Sequence, residues 1–376
     1  MNLSVGIVGL PNVGKSTLFN ALLKKQQAFV ANFPFATIEP NVGIVPVPDS
    51  RLEKLADIVA VDLNKETPFV ANTSSRSLLG RPPIVPAIVK FVDIAGLVKG
   101  ASEGAGLGNK FLSHIREVSL VCHVVRAFED DNVVREGSSD PKSDYETVQT
   151  ELILADLQTV QNSKLKTQNF SDKILAELNK GIPVRDIALK DEEKELNDSQ
   201  LLTAKPEIIV LNVSEKDYSE DKILEVIKQY SQALKLREEK FVVISAKIEA
   251  ELAELSEVDQ KQYLKDLGLQ QSGLERLIKK AYQTLGLISF LTAGEKEIRA
   301  WTIQKGTTAI AAAGVIHTDF IKNFIKAEVV SFDDFINLGG WKKAREVGKM
   351  RFEGRDYIIK DGDVVEFKIG SSFIGA

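Results

Sequence analysis

Residues 9–16 read GLPNVGKS and match the pattern G-x-x-x-x-G-K-[ST], with Gly9, Gly14, Lys15 and Ser16 at its fixed positions. The segment follows a strand-like run and precedes the helix-like STLFNALL, which is the context of a phosphate-binding loop. Its glycines allow backbone N–H groups to point at phosphate oxygens beside a helix N-terminus. We expect the Lys15 ammonium to contact the β- and γ-phosphates and the Ser16 hydroxyl to bind Mg²⁺.

Three further residues of this loop, Asn12, Val13 and Thr17, are predicted to contact the nucleotide. The carbonyl of the Asn12 side chain could bind a monovalent cation such as K⁺ near the phosphates. A purely conformational role for Asn12 is the alternative.

A second motif, Asp93-Ile94-Ala95-Gly96, closes the hydrophobic run VKFVDIAG. A P-loop fold needs an acid near magnesium at this point, so Asp93 is predicted to act from the second coordination shell. The Gly96 N–H could contact the γ-phosphate and release it after hydrolysis, as in GTPase-like switches. Between the two motifs, Thr37 is predicted to bind magnesium and γ-phosphate in the triphosphate state only; an ordinary loop threonine is the alternative.

The base-reading position departs from the GTPase pattern N-K-x-D. Here the strand EIIVL is followed by Asn212, Val213, Ser214 and Glu215. Because glutamate is longer than aspartate, the acceptor fork for guanine is displaced. We therefore expect ATP to be accepted and preferred, with a variant site that still reads GTP as the alternative. Residues 245–247, Ser245, Ala246 and Lys247, follow the strand FVVI and are predicted to cover the other face of the base.

The hydrolytic machinery is also expected to differ from that of common GTPases. Leu97 occupies the position after D-x-x-G where many of them carry the glutamine that orients water. We assign catalytic roles to Lys15 and Gly96, and His114 in FLSHIRE is a candidate for positioning water. A structural histidine is the alternative at that position. His123 lies in a strand-like run and is predicted to be a core residue.

The elements that must carry these residues alternate strand-like runs with helical or glycine-rich connections. Buried strands are predicted at residues 3–8, 88–94, 118–125, 207–211 and 241–244, because their apolar runs are continuous. The fold class is α/β, with a three-layer sheet of the P-loop NTPase (G-domain) type. The nucleotide-binding domain is predicted over residues 1–135 and 205–285.

Two further regions are distinguished by their composition. Residues 136–204 are predicted to form an inserted arm of two helices, with one crossover helix plus a loop as the alternative. Residues 286–376 are predicted to form an α+β module in which the strand-like run DYIIKDGDVVEFKI turns at Asp361-Gly362. Residues 62–83, rich in Asn, Ser, Thr and Pro, are predicted to be an exposed loop.

Composition indicates an ordinary globular protein: 376 residues, 44% hydrophobic, 27% charged and a net charge of −5. We expect no membrane association, since no apolar run is long enough to span a bilayer and no signal peptide is evident. The single cysteine, Cys122, leaves no internal disulfide partner, and its apolar surroundings predict a core residue. This cysteine usage fits a cytoplasmic protein.

Taken with NFPFATIEPNVGIVPVPD and RFEGRDYIIKDGDVVEF, these motifs closely resemble the Obg-like ATPase family, also called YchF, over nearly the whole chain. The resemblance implies a G domain interrupted by a coiled-coil-like arm, a C-terminal TGS domain of β-grasp type, ATP hydrolysis and association with ribosomes in translation or stress regulation. The resemblance also places Asn212 and Glu215 in the adenine site. It implies that Leu97 is the hydrophobic residue that the family carries in place of glutamine, and that His114 is the family's histidine in the switch region. The stretch 62–83 looks longer than the family usually has.

A cluster of cations in the last region could contact ribosomal RNA phosphates, or could form a solvated face balanced by acids; its members are Lys342, Lys343, Arg345, Lys349, Arg351 and Arg355. Three functions are therefore considered. The first is a slow ATPase whose nucleotide state controls ribosome docking through the arm and the TGS domain. The others are a binding scaffold with little catalysis and a GTPase that assists ribosome assembly.

Overall fold

The structure is a computed structural model that describes residues 3–32, 41–66, 81–94, 107–128, 140–162, 168–188 and 201–370. Its contacts divide the chain into two compact units. The first contains Met1–Val45 and Val89–Leu285, and the second contains Pro46–Ile88 and Gly286–Ala376.

The described strands are β1 (Ser4–Val8), β2 (Val42–Pro46), β3 (Ile84–Val85), β4 (Ile88–Asp93), β5 (Leu120–Ala127), β6 (Glu207–Val213), β7 (Phe241–Ile244), β8 (Leu287–Ala293), β9 (Ile298–Gln304), β10 (Phe324–Ser331), β11 (Arg351–Glu353) and β12 (Asp363–Ile369). The described helices are α1 (Lys15–Asn32), α2 (Ser50–Glu66), α3 (Leu107–Glu117), α4 (Pro141–Asn162), α5 (Gln168–Leu178), α6 (Glu220–Leu234), α7 (Ala246–Leu252), α8 (Glu257–Asp266), α9 (Gly273–Thr284), α10 (Ala309–Ile316), α11 (Thr318–Asn323), α12 (Phe332–Leu338) and α13 (Trp341–Glu346).

The sheet of the first unit has the strand order β2-β4-β1-β5-β6-β7. Pairing is parallel from β4 through β1, β5 and β6 to β7, with Ile7 beside Asp93 and Arg126 beside Asn212. All five predicted strands are present, and each residue of β1, β6 and β7 is buried, as expected of a sheet covered on both faces. The predicted G-domain fold is thereby confirmed, and it brings the motifs to the carboxyl edge of the sheet.

The inserted helices are partly built into the main core of this unit. Tyr145, Val148 and Leu152 of α4 pack in the clusters that cover the sheet. The other side of α4 packs against α5 in a separate cluster that includes Val160 and Ile174. Because α4 is buried on two sides, its first half belongs to the nucleotide-binding core and only its second half pairs with α5. The predicted arm therefore begins within α4.

A buried ionic cluster also connects the inserted segment to the amino ends of the strands. Glu207, the first residue of β6, is fully buried and lies 2.5 Å from the Arg185 guanidinium and 3.0 Å from the Lys240 ammonium. The Tyr145 hydroxyl donates a hydrogen bond to the same carboxylate at 3.1 Å. Burial raises the pKa of Glu207, but attraction to these cations outweighs burial and lowers the pKa below its usual value.

His123 and Cys122 are core residues of β5, as predicted. The ring of His123 is 1% exposed and packs edge-on against Tyr145, with ring centroids 5.3 Å apart. Burial lowers the pKa of His123 to about 4, so the ring is neutral at pH 7, and its approach to Glu207 at 3.5 Å is not an ion pair. Burial raises the pKa of the Cys122 thiol to about 12.

The second unit contains a six-stranded sheet of order β11-β10-β12-β8-β9-β3. Strand β12 pairs antiparallel with β10 and parallel with β8, and α10 packs its small residues Ala309, Ala312 and Ala313 against the sheet. The predicted α+β module is thus present, and the predicted turn at Asp361-Gly362 leads directly into β12. The residues just before the turn do not form a strand: between β11 and the turn, only Ile358 pairs, in an isolated bridge with Thr308.

Residues 46–88 differ most from the sequence-based division, which placed them with the nucleotide-binding domain. They belong to the second unit because β3 pairs parallel with β9 and Arg51 of α2 contacts Asp361 at 2.8 Å. The predicted loop 62–83 is also corrected at its start, where α2 continues to Glu66. Residues 67–80 of that stretch lie outside the described residues.

Candidate functional site

The phosphate-binding loop occupies the turn between β1 and α1. Gly9 and Gly14 have φ values of 154° and 98°, and a Cβ at either position would collide with the Val124 carbonyl or the Asn212 amide, respectively. Asn12 has a left-handed φ of 61°, a conformation that asparagine tolerates better than most residues. Glycine is therefore required at positions 9 and 14 by backbone conformation and by space, which supports the curled loop that the motif predicts.

The helix α1 begins at Lys15, so Ser16 and Thr17 lie in its first turn and are exposed. Lys15 is 8% exposed, and its ammonium donates a hydrogen bond to the Leu10 carbonyl at 2.6 Å. Burial lowers the pKa of Lys15, and the nearby Asp93 carboxylate opposes this shift. A partly desolvated cation at a helix N-terminus suits an anionic ligand.

Asp93 ends β4 beside Ile7 of β1, and its N–H donates to the Asn41 carbonyl at 3.0 Å. Burial raises the pKa of the Asp93 carboxyl, and the charge of Lys15 opposes this. A hydroxyl at Ser16 and a carboxylate at Asp93 offer the oxygen donors that Mg²⁺ prefers. These residues fit a magnesium site, whereas Thr37, its third predicted member, lies outside the described residues.

The predicted base-binding residues lie in two neighbouring segments, called the base loops: the end of β6 with the turn that follows it, and the junction of β7 with α7. Asn212 is 5% exposed; its amide donates to the Val13 carbonyl at 2.9 Å and accepts from the Ala246 N–H at 2.9 Å. This side chain joins the phosphate-binding loop to the loop after β7. The predicted phosphate and base regions therefore lie next to each other.

The other base-site residues divide into buried and exposed ones. Val213 packs in the core, and Ser245 is 1% exposed, so these two side chains support the loops from inside. Glu215 and Lys247 are exposed and form an ion pair at 2.6 Å across the two loops. The Glu215 carboxylate is thus bonded to Lys247, which reduces its availability as an acceptor for a base.

The predicted hydrolytic residues are only partly described. His114 is exposed on α3, whereas Phe111 and Ile115 of the same helix pack in the core. Gly96 and Leu97 lie outside the described residues. The catalytic assignment of His114 therefore stays a prediction.

Sequence reasoning missed a buried polar cluster directly under the base loops. It consists of Tyr218, Glu249 and Arg276, with the N–H of Gly273. The only local signal is a polar residue inside an otherwise helical stretch, and such a residue is usually exposed. Its partners are far apart in the chain, so no motif spacing could reveal it.

Comparisons with known proteins agree with this geometry. A family model described as "50S ribosome-binding GTPase" matches residues 4–159, and a model of the YchF GTPase C-terminal region, described as a protein of unknown function, matches residues 287–370. The chain is 46% identical to "Ribosome-binding ATPase YchF" of Bacillus subtilis, over 98% of this chain and 99% of that protein. It is 44% identical to the protein of the same name in Escherichia coli O157:H7, again over 98% and 99%.

Among solved structures, the chain is similar to "Structure of the Schizosaccharomyces pombe YchF GTPase". The two share 35% sequence identity and superpose with a TM-score of 0.81 over 98% of each chain. Across the ranges that the structure describes, no helix has the length and apolarity needed to span a bilayer.

Proposed function

The chain belongs to the YchF family, and we propose that it is a ribosome-associated ATPase whose nucleotide state controls that association. The observation that carries the proposal is the bridging side chain of Asn212. Its two hydrogen bonds join the phosphate-binding loop to the base loop, which makes one site for a nucleoside triphosphate. The curated relatives are named ribosome-binding ATPases at high identity and coverage, which supports the same function here.

In this proposal the triphosphate binds along the loop from Gly9 to Thr17. Backbone N–H groups from Asn12 to Thr17 meet the phosphate oxygens, and the Lys15 ammonium neutralises charge on the β- and γ-phosphates. The Ser16 hydroxyl would hold magnesium, with Asp93 behind it, and the ion would then supply further neutralisation of the developing charge. The loop from Gly9 to Thr17 thereby orients the phosphates for in-line attack by water.

The choice of ATP rests on the loop after β6. Val213 and Glu215 replace the lysine and aspartate of the guanine-reading pattern, and the Glu215 carboxylate is already paired with Lys247. A guanine would lose its bidentate acceptor, whereas adenine does not need one. Asn212, Val213 and residues 245–247 then enclose adenine through backbone groups, together with the stem of the exposed Lys247 side chain.

For hydrolysis, we propose that Gly96 and Thr37 contact the γ-phosphate only in the triphosphate state, so that its loss releases both segments. His114 positions water in place of the missing glutamine, because Leu97 has no group that can do so. A K⁺ ion held by Asn12 would add charge near the phosphates; Asn12 already has the left-handed backbone of a loop that turns sharply.

Ribosome association is assigned to the inserted helices and the C-terminal module, and such a partner implies work in the cytoplasm. The cation cluster of that module is partly neutralised: Arg345 pairs with Glu328, Lys349 with Asp334, and Arg351 with Asp363. Lys342 and Lys343 are exposed and are the better candidates for RNA phosphates.

GTP hydrolysis is the second candidate function, because both family models and the fission-yeast structure carry the word GTPase. Competition of ATP and GTP for the purified protein tests the choice of base. We expect ATP to bind tighter by about tenfold, since a lost bidentate acceptor is worth roughly 1–2 kcal/mol. Tighter binding of GTP would reject the ATP assignment.

Single-turnover hydrolysis with and without ribosomes tests the switch. We expect ribosomes to change the rate, and the two nucleotide states to differ in ribosome affinity. If neither occurs, the chain acts as a scaffold for which ATP is a structural ligand.

A further inference from the structure

Beneath the two base loops lies the buried cluster centred on Tyr218 and Glu249, each 1% exposed. The Tyr218 hydroxyl donates a hydrogen bond to Glu249 Oε1 at 2.9 Å. The same oxygen accepts the Gly273 N–H, at the start of α9, at 2.6 Å. Arg276 donates to the Tyr218 hydroxyl oxygen at 3.0 Å and to the Val243 carbonyl of β7 at 3.0 Å.

The cluster connects the residues that the base site uses. Tyr218 directly follows the single turn Glu215–Asp217 and bonds back to it through its N–H, which donates to the Glu215 carbonyl. Glu249 lies in α7, and its N–H donates to the Ser245 carbonyl at 2.9 Å. The hydrogen bond between Tyr218 and Glu249 therefore fixes the distance between the loop after β6 and the loop after β7.

We propose that Tyr218 and Glu249 are positioning residues that set the purine selectivity of the site by holding its two base loops at a fixed separation. This inference rests on the proposed nucleotide site and concerns only its base end. The exposed pair of Glu215 and Lys247 spans the same two loops but is solvated, and such pairs contribute little on their own. The buried bond beneath it sets the spacing.

Space and protonation both favour this role. A Cβ at position 273 would collide with the Tyr218 hydroxyl, so glycine lets the start of α9 approach the cluster. Burial and then the charge of Glu249 raise the pKa of Tyr218, so the phenol keeps its proton at neutral pH. A permanent donor facing a buried acceptor has no water to replace it when it is removed.

The decisive experiment measures three ligands on Tyr218→Phe and on the matched control Tyr145→Phe, in the full-length protein. Tyr145 also donates from a buried hydroxyl to a buried glutamate, but at the far end of the strands. The ligands are ATP, GTP and inorganic tripolyphosphate, which occupies the phosphate-binding loop without a base.

We expect Y218F to lower the affinity for ATP about five- to tenfold, because the loop separation that binds ATP is populated less. The ratio of ATP to GTP affinity should move toward one, while tripolyphosphate affinity stays within about twofold of wild type. Y145F should leave all three affinities unchanged. An unchanged ATP-to-GTP ratio in Y218F, or an equal change in Y145F, would overturn the positioning role.

A second pair of variants separates positioning from folding. Glu249→Gln keeps an acceptor oxygen for Tyr218 and Gly273 and should retain the wild-type selectivity, whereas Glu249→Leu should lose it. If E249Q loses selectivity as fully as E249L, the hydrogen bond is not what sets the spacing. Failure of the proposed function would look different, because wild type itself would then bind ATP no better than GTP.

Discussion

Two buried clusters of a tyrosine, a glutamate and an arginine lie at opposite ends of the same parallel strands, and their bonding differs. At the amino ends, Glu207 faces the Arg185 guanidinium and the Lys240 ammonium. At the carboxyl ends, Glu249 faces only neutral donors, a phenol and a backbone N–H, while Arg276 bonds to the tyrosine instead.

The difference in bonding indicates two different roles. The cluster around Glu207 is called the anchor, and the cluster around Glu249 is called the spacer. Two cations on one buried carboxylate fasten the inserted segment to the sheet. Removing the negative charge would leave the Arg185 guanidinium without this carboxylate and the Lys240 ammonium with the Asp186 carboxylate, 3.8 Å away. Neutral, directional hydrogen bonds hold two loops at a set distance with less dependence on net charge. We therefore expect changes at the amino end to affect stability, and changes at the carboxyl end to affect nucleotide binding.

The largest effect is expected for Glu207→Gln, which removes the charge between Arg185 and Lys240 while keeping the side-chain size. Breaking such a buried ionic cluster should lower the free energy of unfolding by about 3–5 kcal/mol. Urea unfolding measures it, with Glu249→Gln as the matched control, for which about 1 kcal/mol is expected. Equal losses in the two variants would remove the distinction between anchor and spacer.

The second largest effect is expected for the pH dependence of the free energy of unfolding, which His123 in the anchor should cause. Its pKa is about 4 in the folded protein against an ordinary 6.5, so the unfolded chain binds the proton first. The stabilising contribution is complete above pH 6.5 and should be lost as pH falls from 6.5 to 4, by roughly 2–3 kcal/mol. Unfolding free energies measured across this range should therefore decline.

His123→Leu should flatten that decline, and the exposed His114→Asn should not. The lowered pKa of Glu207 also reduces the free energy of unfolding at acid pH, but only below the pKa of this group in the unfolded chain, near 4.5. The losses due to His123 and to Glu207 therefore begin at different pH values. The assignment fails if H123L retains the full slope between pH 6.5 and 5.

At the carboxyl end, Asn212→Ala removes both hydrogen bonds that join the phosphate loop to the base loop. ATP affinity should fall about 30-fold, which corresponds to about 2 kcal/mol for two buried bonds. Stability should change less than in E207Q. Isothermal titration with ATP checks this, and an affinity within twofold of wild type would show that Asn212 does not couple the two regions.

The smallest effect is expected for Lys247→Ala, which breaks only the exposed pair with Glu215. ATP affinity should change less than about threefold, since solvated pairs contribute under about 1 kcal/mol. Lys216→Ala is the control, because Lys216 is the neighbour of Glu215 in the turn after β6 but is not part of the pair. A change larger than that of Y218F would mean that the surface pair, and not the buried bond, sets the spacing.

Much of the fold and of the phosphate site could be predicted from sequence because the signals are local. The loop around Gly14 and Lys15 is defined by adjacent residues, and continuous apolar runs predicted all five strands. The placement of residues 46–88 could not be predicted, because the pairing of β3 with β9 joins segments more than 200 positions apart. The helix α4 was similarly ambiguous, since a helix buried on two sides has no polar face to mark its boundary.

The sequence by itself determined the motifs of this protein: a P-loop, a serine at position 16 that is predicted to bind magnesium, and a base motif that departs from the guanine-reading pattern. Only the tertiary structure decided which side chains hold those motifs in place. Asn212 meets Val13 across 199 positions, and Tyr218 meets Glu249 across 31. Contacts of that range depend on strand order and helix packing, and residue spacing along the chain carries no record of them.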